Sequence, residues 1–159
     1  MADTDKQVQL VTFQLGDEHY GIDIMEVKEI VRIQEVRSIP NAPAYVEGIF
    51  NLRGDIIPII NLHKRFDLKR ATLSDEDRLL SGFVIVDLGG MQIGIVIDKV
   101  SRVVTINAKL IQPPPQTMTG IGSEYIQGVA NDKSGYLIIL NTQRLFNPKE
   151  LQQLGRIAS

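Results

Sequence analysis

The chain has 159 residues, 43% of them hydrophobic and 23% charged, with a formal net charge of −2 and no cysteine. These values are typical of a folded globular protein. The small net charge provides no basic surface for sequence-independent nucleic-acid binding, and the absence of cysteine excludes disulfides and thiolate metal sites. No apolar run approaches the roughly 20 residues of a membrane helix, and the polar start Met1–Lys6 lacks a secretory signal. We therefore expect a cytoplasmic protein without direct membrane contact.

Two segments of the first half recur in the second half, in the same order. Residues 13–31 align without a gap with residues 86–104, and residues 46–66 align with residues 126–146. The identities fall on glycines, asparagines and apolar residues, among them Gly16 with Gly89, Gly21 with Gly94, Gly48 with Gly128 and Asn61 with Asn141. The pattern predicts an internal duplication with copies of about 75 residues, each small for a lone domain but suited to a packed pair.

Each copy opens with a predicted hairpin. Apolar and polar residues alternate along Val11–Leu15 and along Tyr20–Ile24, on either side of a turn at Gly16-Asp17. This period of two is typical of half-buried strands. The second copy repeats the pattern along Val84–Leu88, with its turn at Gly89-Gly90.

The segment that follows the first hairpin, Asp23–Val31, has apolar residues at 24, 27, 30 and 31. That spacing fits a helix, and it equally fits a turn of helix that leads into another strand. A second hairpin is predicted next, with strands 46–52 and 56–60 about the turn Arg53-Gly54-Asp55. Because Pro58 cannot donate a ladder hydrogen bond, its strand is expected to be an edge strand or to carry a bulge there.

Short helices are predicted to close each copy and the chain. Asn61 and Asn141 each suit an N-cap position. Asn147 with Pro148 and Glu150 forms the pattern of a capping box with proline at the first helical position. The charged stretch from residue 67 to residue 79 is typical of a connector.

Short strands at close spacing, broken by turn signals, predict a mainly β fold made of two small barrels. The expected boundaries are a first subdomain at about 7–66, a connector at 67–79, a second subdomain at about 80–146 and a C-terminal helix at 147–159. The whole chain, 1–159, is then a single domain of two subdomains.

No residue constellation predicts catalysis. His19 and His63 lack the partner histidine that a metal-binding helix face needs, and His63 is expected in a polar helix. Asp75–Asp77 is typical of a solvated charge run. Gly120–Gly122 lacks the third glycine of a dinucleotide-binding fingerprint, and a stiff loop accounts better for Pro113–Pro115 than a bound polyproline helix. We expect no catalytic residue, no metal and no cofactor.

The two opening hairpins differ in polarity. One face of the first carries Gln14, His19 and Asp23, whereas the equivalent face of the second carries Phe83, Ile85 and Val96. Either the apolar face packs against the other copy, or part of it binds a partner. Arg53, at a tight turn between apolar strands, is either a hydrogen-bonding anchor or a solvated side chain.

Two stretches of the chain resemble a known family. Val46–Gly54, followed by Ile56, Pro58, Ile60 and Leu62, resembles the central signature of the CheW-like domain family, and Gly16–Ile24, followed by Val27 and Glu29-Ile30, is similar to its opening segment. The resemblance implies two five-stranded, SH3-like barrels packed around a shared core, without enzymatic activity. It also implies a free adaptor in bacterial chemotaxis, since no kinase, phosphotransfer or receiver segment is present.

The resemblance implies two partners, the cytoplasmic tip of a chemoreceptor and the regulatory domain of the histidine kinase CheA, with recruitment to membrane-associated receptor arrays through them. The implied receptor-binding residues are Val27, Glu29, Ile30, Phe83, Gly94 and Val103. Gly48 and Arg53 are implied in kinase binding or in the geometry of the site. The second copy has Lys133-Ser134 where the first has Arg53-Gly54, so we expect the two copies to bind different surfaces.

Another protein-interaction module, or a small-barrel nucleic-acid binder, is the alternative function. A nucleic-acid binder needs surface aromatic residues interleaved with Lys or Arg on one sheet face. Aromatic residues make up only 6% of the chain, and most fall at predicted core positions. We therefore expect no nucleic-acid partner.

Overall fold

Short β-strands dominate the chain. The computed structural model describes residues 6–114, 123–132 and 135–158. The strands of the first half are β1 (Gln7–Leu15), β2 (Glu18–Asp23), β3 (Val27–Arg32), β4 (Val46–Leu52) and β5 (Asp55–Ile60). Those of the second half are β6 (Gly82–Leu88), β7 (Met91–Ile97), β8 (Lys99–Asn107), β9 (Ile126–Asp132) and β10 (Gly135–Leu140). Gly120–Gly122, Lys133-Ser134 and the last residue of the proline run lie outside the described residues.

The strands form two five-stranded sheets that exchange strands between the halves. The first sheet has the order β8-β1-β2-β10-β9, and the second has the order β3-β6-β7-β5-β4. Replacing every strand by its counterpart in the other repeat converts one order into the other. The two sheets are therefore equivalent under a pseudo-twofold relation, and the predicted mainly β fold with two five-stranded units is confirmed.

The exchange corrects one expectation about the subdomains. Neither 7–66 nor 80–146 forms a sheet of its own, because each half gives two strands to one sheet and three to the other. Parallel pairs join the halves, β2 with β10 at Tyr20 and Ile138 and β5 with β7 at Ile60 and Ile95. A repeat in the sequence shows which strands are equivalent, but it does not show which copy supplies the neighbouring strand.

The buried apolar side chains of the described residues form three clusters. The largest draws on both sheets, with members such as Phe13, Tyr20, Ile60, Ile95 and Ile138. A smaller one lies within the first sheet around Leu10 and Leu137, and another lies within the second sheet around Phe50, Ile59 and Phe83. Each fully buried side chain of this size contributes about 1.5–3 kcal/mol, so the shared cluster is what fixes one sheet against the other.

Each sheet also has a bridge that ties its two ends together. Arg37, beyond the end of β3, pairs with Ile49 on β4, and Gln112, beyond β8, pairs with Val129 on β9. Because β3 and β4 are the two end strands of the second sheet, the first bridge links its opposite ends. The second bridge does the same for the first sheet.

The segment Asp23–Val31 adopts the second of its two predicted arrangements. A 3-10 turn at Ile24–Glu26 leads directly into β3. The expectation for Pro58 is wrong in both alternatives, since β5 is not an edge strand and Pro58 pairs in register with Ile49. The pairing of β5 with β7 begins only at Ile59, so the missing backbone N–H of Pro58 breaks no hydrogen bond to β7. The bulge falls on β4, between Val46 and Gly48.

The predicted helices are present and short. α1 (Leu62–Phe66) begins at Asn61, whose side chain accepts a hydrogen bond from the backbone N–H of Lys64. Asn141 precedes a 3-10 turn and makes no capping bond. α3 (Pro148–Ala158) begins with the predicted capping box, in which Asn147 and Glu150 exchange hydrogen bonds of 2.8 and 2.9 Å. Among the described helices, none is long and apolar enough to cross a membrane.

The expected connector contains structure of its own. Ser74 caps a one-turn helix, α2 (Asp75–Arg78), and its hydroxyl accepts a hydrogen bond from the backbone N–H of Asp77. Upstream of this helix, Leu68 packs against the shared core. The connector is therefore held to the body rather than looped out.

Candidate functional site

The residues implied in receptor binding divide into exposed and buried groups. Ile30 on β3 and Val103 on β8 are 41% and 51% exposed, and Glu29 is partly exposed. Val27 is half-buried and packs against the shared core. Phe83 is only 3% exposed and Gly94 is buried, so neither presents a surface to a partner.

The two buried residues shape the second sheet from within. Phe83 pairs across strands with Val31 and stacks edge-on against Phe50, with ring centroids 5.9 Å apart. A β-carbon at Gly94 would lie 2.6 Å from Cδ1 of Ile59. The absence of a side chain there lets β5 and β7 approach each other. Sequence analysis could not separate this packing role from a contact role.

The two exposed apolar residues occupy equivalent positions. Ile30 and Val103 are 73 residues apart, the offset that relates the two copies of the opening segment. β3 is the end strand of the second sheet and β8 is the end strand of the first. The preceding residues differ in charge, Glu29 in one copy and Arg102 in the other. The equivalent end strands thus expose similar apolar side chains, each preceded by a residue of opposite charge.

Glu29 and Arg53 form an ion pair across the second sheet. Arg53 lies at the turn between β4 and β5 and reaches the carboxylate of Glu29 on β3. Arg53 and Gly54 have φ values of 51° and 93°, as a two-residue turn with positive φ at both positions requires. The backbone N–H of Gly54 donates to the side-chain oxygen of Asn51. Arg53 is therefore a hydrogen-bonding anchor. The ion pair joins Glu29, which is implied in receptor binding, to Arg53, which is implied in kinase binding.

Gly48 has a structural reason that does not involve a partner. The residue is buried, and a β-carbon on it would lie 2.2 Å from the carbonyl oxygen of Arg37. Arg37 and Ile49 exchange backbone hydrogen bonds of 2.9 and 2.8 Å at this place. Gly48 thus permits the bridge that links the ends of the second sheet. Gly128, its counterpart, leaves room for Ile111 at the other bridge.

The difference in polarity between the two hairpin faces is smaller than the sequence indicated. Phe83, Ile85 and Val96 are buried against Phe50, Ile57 and Ile59 of the first half, so the packing alternative is confirmed. The first hairpin also buries its counterpart positions Leu10 and Thr12. The difference that remains lies at Asp23 and its counterpart Val96.

A buried carboxylate, Asp98, was missed by sequence analysis. It is fully buried between β7 and β8, where the chain passes from the second sheet to the first. One oxygen, Oδ2, accepts hydrogen bonds from the backbone N–H of Gly16 at 2.7 Å, from His63 Nε2 at 2.8 Å and from the N–H of Ala71 at 3.3 Å. Oδ1 forms an ion pair with Arg70 Nε at 2.9 Å. The signal available in the sequence was a lone acid directly after the apolar run Ile93–Ile97.

The same contacts correct the expectation for His63. Its helix is not polar on all sides, because the imidazole is 4% exposed. Nε2 contacts Asp98, and Nδ1 lies 3.2 Å from Oδ1 of Asn61. The Asn61 amide donates in turn to Glu47 on β4 at 2.6 Å. A chain of polar contacts therefore runs from Asp98, between β7 and β8, through His63 and Asn61 to Glu47 on β4, an end strand of the second sheet.

Hydrogen bonding decides the ionisation of Asp98. Burial by itself would raise the pKa of this carboxyl, because a charged group is poorly solvated there. The hydrogen bonds from His63, Gly16 and Ala71 outweigh that effect and hold the pKa of Asp98 below its ordinary value. The charged form is thus the one that the fold stabilises.

A second polar contact attaches the C-terminal helix. Arg65 on α1 makes a bidentate pair with Glu150 on α3, at 2.7 and 2.9 Å. Its guanidinium lies 4.8 Å from the ring centre of Phe146 and 4.9 Å from that of Tyr45. The hydrogen bonds from Arg65 hold the pKa of Glu150 below its ordinary value. Such cation–π and bidentate contacts fix α3 on the shared core.

These polar clusters are suited to holding structure. Each donor around Asp98 comes from the fold itself, and the pair between Arg65 and Glu150 joins two helices. Within the described part of the chain, no group of three or more His, Cys, Asp or Glu residues is placed to hold a metal ion. The exposed members of the predicted set lie on the end strands, Glu29 and Ile30 on β3 and Val103 on β8, and at the β4–β5 turn, where Arg53 lies.

The chain is similar to known proteins over nearly its whole length. Residues 9–150 match the CheW-like domain family. The chain is 59% identical over 157 residues to the chemotaxis protein CheW of Treponema pallidum, covering 99% of this chain and 92% of the relative. Identity to the chemotaxis protein CheW of Klebsiella aerogenes is 33% over 150 residues, covering 94% and 88%. The crystal structure of the scaffolding protein TtCheW from Thermoanaerobacter tengcongensis aligns with a TM-score of 0.80 at 35% identity, over 91% of both chains. The similarity therefore extends over both sheets.

Proposed function

The chain belongs to the CheW-like domain family, and from this premise we propose that it is a non-catalytic chemotaxis scaffold that couples chemoreceptors to the histidine kinase CheA. The relatives named chemotaxis protein CheW support the chemotaxis role, and similarity to a scaffolding protein supports the non-catalytic role. In this proposal the protein works in the cytoplasm and reaches membrane-associated receptor arrays through its partners.

The observation that carries the proposal is that two sheets with equivalent strand orders expose different residues on their end strands. The frames match strand for strand. The exposed end strands differ, with Glu29 beside Ile30 in one and Arg102 beside Val103 in the other. Two similar frames with different surfaces suit a scaffold that binds two partners at once.

For the receptor, we propose contacts through the exposed members of the predicted set. Ile30 and Val103 offer apolar side chains, and Glu29 offers a carboxylate. Val27 supports this surface from the shared core. Phe83 and Gly94 act indirectly in the proposal, by fixing the sheet behind β3. Substitutions at these two positions would change receptor binding through the shape of the sheet.

For CheA, we propose that Arg53 contacts the regulatory domain from the tip of the β4–β5 turn. Its side chain is 71% exposed and its backbone is held by the turn. Gly48 supports the same hairpin through the bridge to Arg37. Since Arg53 also pairs with Glu29, the proposed surfaces for the two partners adjoin each other.

Binding measurements with charge variants test this assignment. Glu29→Lys and Arg53→Glu each break the pair, and we expect each to weaken one partnership by about 1–3 kcal/mol, the range for an interface anchor. The double variant carries both changes and restores a pair of opposite charges. If it regains binding, the pair acts only within the chain; if it does not, the charges meet a partner directly.

Glu76→Lys is a matched control for the charge reversal. Glu76 lies exposed on α2, outside both proposed surfaces. Its reversal is expected to leave affinity for the receptor fragment and for CheA unchanged. Unchanged binding of all the Glu29 and Arg53 variants to both partners would contradict the assignment.

A further inference from the structure

The chain passes from one sheet to the other between β2 and β3 and again between β7 and β8. Asp98 lies at the second of these crossings. The chain leaves β7 at Ile97 and enters β8 at Lys99. The backbone of Asp98 is held on both sides, since its N–H donates to the carbonyl of Gln14 at 3.0 Å and its carbonyl accepts from the Ser81 hydroxyl at 2.6 Å. The residue directly before β8 is thus fixed by its own backbone hydrogen bonds.

The carboxylate of Asp98 joins separate parts of the fold. Gly16 belongs to the turn between β1 and β2, His63 belongs to α1, and Arg70 and Ala71 belong to the connector. Gly16 and the stretch that contains α1 and the connector lie far from each other and from Asp98 in the sequence. Gly16, His63 and Ala71 donate hydrogen bonds to this fully buried side chain, and Arg70 forms an ion pair with it. Gly16 and His63 are buried, so solvent cannot replace the carboxylate as their acceptor, whereas Ala71 is partly buried and Arg70 is half-exposed.

A charged carboxylate suits this place better than an amide does. Oδ2 accepts from three donors while Oδ1 faces the Arg70 guanidinium. An asparagine has one oxygen acceptor and an amino group that only donates. Its oxygen could serve the first set of donors, but its amino group would then face the arginine. Asp98→Asn therefore keeps the volume and the hydrogen bond from Ala71, and loses the ion pair with Arg70 in the connector.

We infer that Asp98 is a positioning residue for the end strand β8, holding the connector and the β8 start in the arrangement that presents Val103 to a partner. The inference rests on the proposed function, because Val103 is assigned there to receptor binding. Asp98 is buried and touches no partner itself. Its effect reaches the surface through β8, whose fifth residue is Val103.

The inference predicts a selective loss of binding. Freeing the start of β8 loosens the strand up to the irregularity in its pairing with β1, which lies beside Val103. The β4–β5 turn with Arg53 is instead closed by the pairing of β4 with β5. We expect Asp98→Asn to weaken binding to a chemoreceptor cytoplasmic fragment at least fivefold. Binding to the CheA regulatory domain is expected to stay within twofold. A uniform destabilisation would lower both affinities together.

Two further variants separate positioning from stability. Arg70→Ala removes the half-exposed partner and is expected to give the same selectivity with a smaller loss, in a protein that folds. Leu154→Ala opens the shared core under α3, far along the chain from the crossing. It is expected to lower the melting temperature without changing the ratio of the two affinities.

Amide hydrogen exchange gives a readout that does not depend on any partner. Asp98→Asn is expected to speed exchange in residues 68–73 and 99–103, with α3 unchanged. Exchange that stays the same in these segments, or a receptor-to-CheA affinity ratio equal to that of Leu154→Ala, would overturn the inference. If the wild-type protein binds neither partner, the proposed function fails, and the exchange result still decides the positioning role.

Discussion

The two places where the chain crosses between the sheets are equivalent in sequence and opposite in construction. At the first crossing, Met25 lies in the 3-10 turn Ile24–Glu26 and is 87% exposed. At the second, its counterpart Asp98, 73 residues later, is fully buried and accepts hydrogen bonds from several segments. The duplicated frame therefore tolerates two solutions at the same position.

The difference shows where a duplicated fold keeps its identity and where it diverges. The strands recur in both sheets, and so does the close approach at Gly48 and its counterpart Gly128, because each sheet needs the same backbone pairings. The crossings and end strands do not share that constraint. They are the places where one copy buries a carboxylate and the other exposes an apolar side chain.

The largest expected effect breaks the comparison at the crossings. Asp98→Ala leaves the donors of His63 and Gly16 buried without an acceptor and removes the bonds to Ala71 and Arg70, so we expect a loss of about 3–5 kcal/mol of unfolding free energy. Met25→Ala, at the equivalent position, is expected to change it by less than about 0.5 kcal/mol. Urea unfolding of both variants measures the difference. Equal losses would refute the claim that only one crossing is pinned.

The next effect compares the glycines at the two bridges. In Gly48→Ala the new methyl group would lie 2.2 Å from the backbone oxygen of Arg37. In Gly128→Ala its shortest contact, 2.4 Å, is with the side chain of Ile111, and the backbone oxygen of Gln112 is 3.0 Å away. A side chain can move aside and a bridged backbone cannot, so we expect about 3 kcal/mol for the first variant and about 1 kcal/mol for the second. The check is the same urea titration, and a reversed order would contradict it.

A smaller effect concerns pH and the C-terminal helix. The pKa of Glu150 is lowered in the folded protein, so its stabilising contribution is present above the unfolded pKa and is lost as pH falls through the folded value. Glu150→Gln is expected to cost about 2 kcal/mol at neutral pH. The unfolding free energy of the Glu150→Gln variant should fall less steeply than that of the wild type between about pH 5 and pH 3.

The difference between the two stability curves isolates Glu150, because Asp98 is present in both proteins. The second copy has Leu145 where the first has Arg65, so no equivalent pair contributes there. Melting curves across that pH range provide the measurement. Parallel curves for the two proteins would show that the helix is not attached through this carboxylate.

The smallest effect on stability is expected for the surface pair. Arg53 is largely exposed and Glu29 is partly exposed, and exposed ion pairs contribute about 0–1 kcal/mol. Arg53→Ala should therefore shift the melting temperature little while it weakens partner binding. A stability loss as large as that of Gly48→Ala would assign Arg53 a structural role instead.

Local patterns predicted much of this fold. The alternation in Val11–Leu15 predicted a strand, the Arg53-Gly54 turn predicted a hairpin, and the capping box at Asn147 predicted the start of α3, because each depends on neighbouring residues. The exchange of strands could not be predicted, since equivalent copies offer equivalent pairing partners. It depends on the packing of the whole core.

The candidate site was predicted less completely. Ile30, Val103, Glu29 and Arg53 are exposed as a binding role requires. Phe83 and Gly94 are buried because three-dimensional packing puts their faces inside the second sheet. The sequence alone does not show whether an apolar residue in a strand is exposed on the surface or buried inside the sheet. The contact between His63 and Asp98 joins residues 35 positions apart, which no local pattern reveals.

The most direct test of the account is whether the protein bridges its two proposed partners. A chemoreceptor cytoplasmic fragment is immobilised, and retention of the CheA regulatory domain is measured with and without the protein. We expect retention to rise in proportion to the protein added and to fall with Glu29→Lys or Arg53→Glu, but not with Glu76→Lys. Retention that is the same with and without the wild-type protein would contradict a scaffold role.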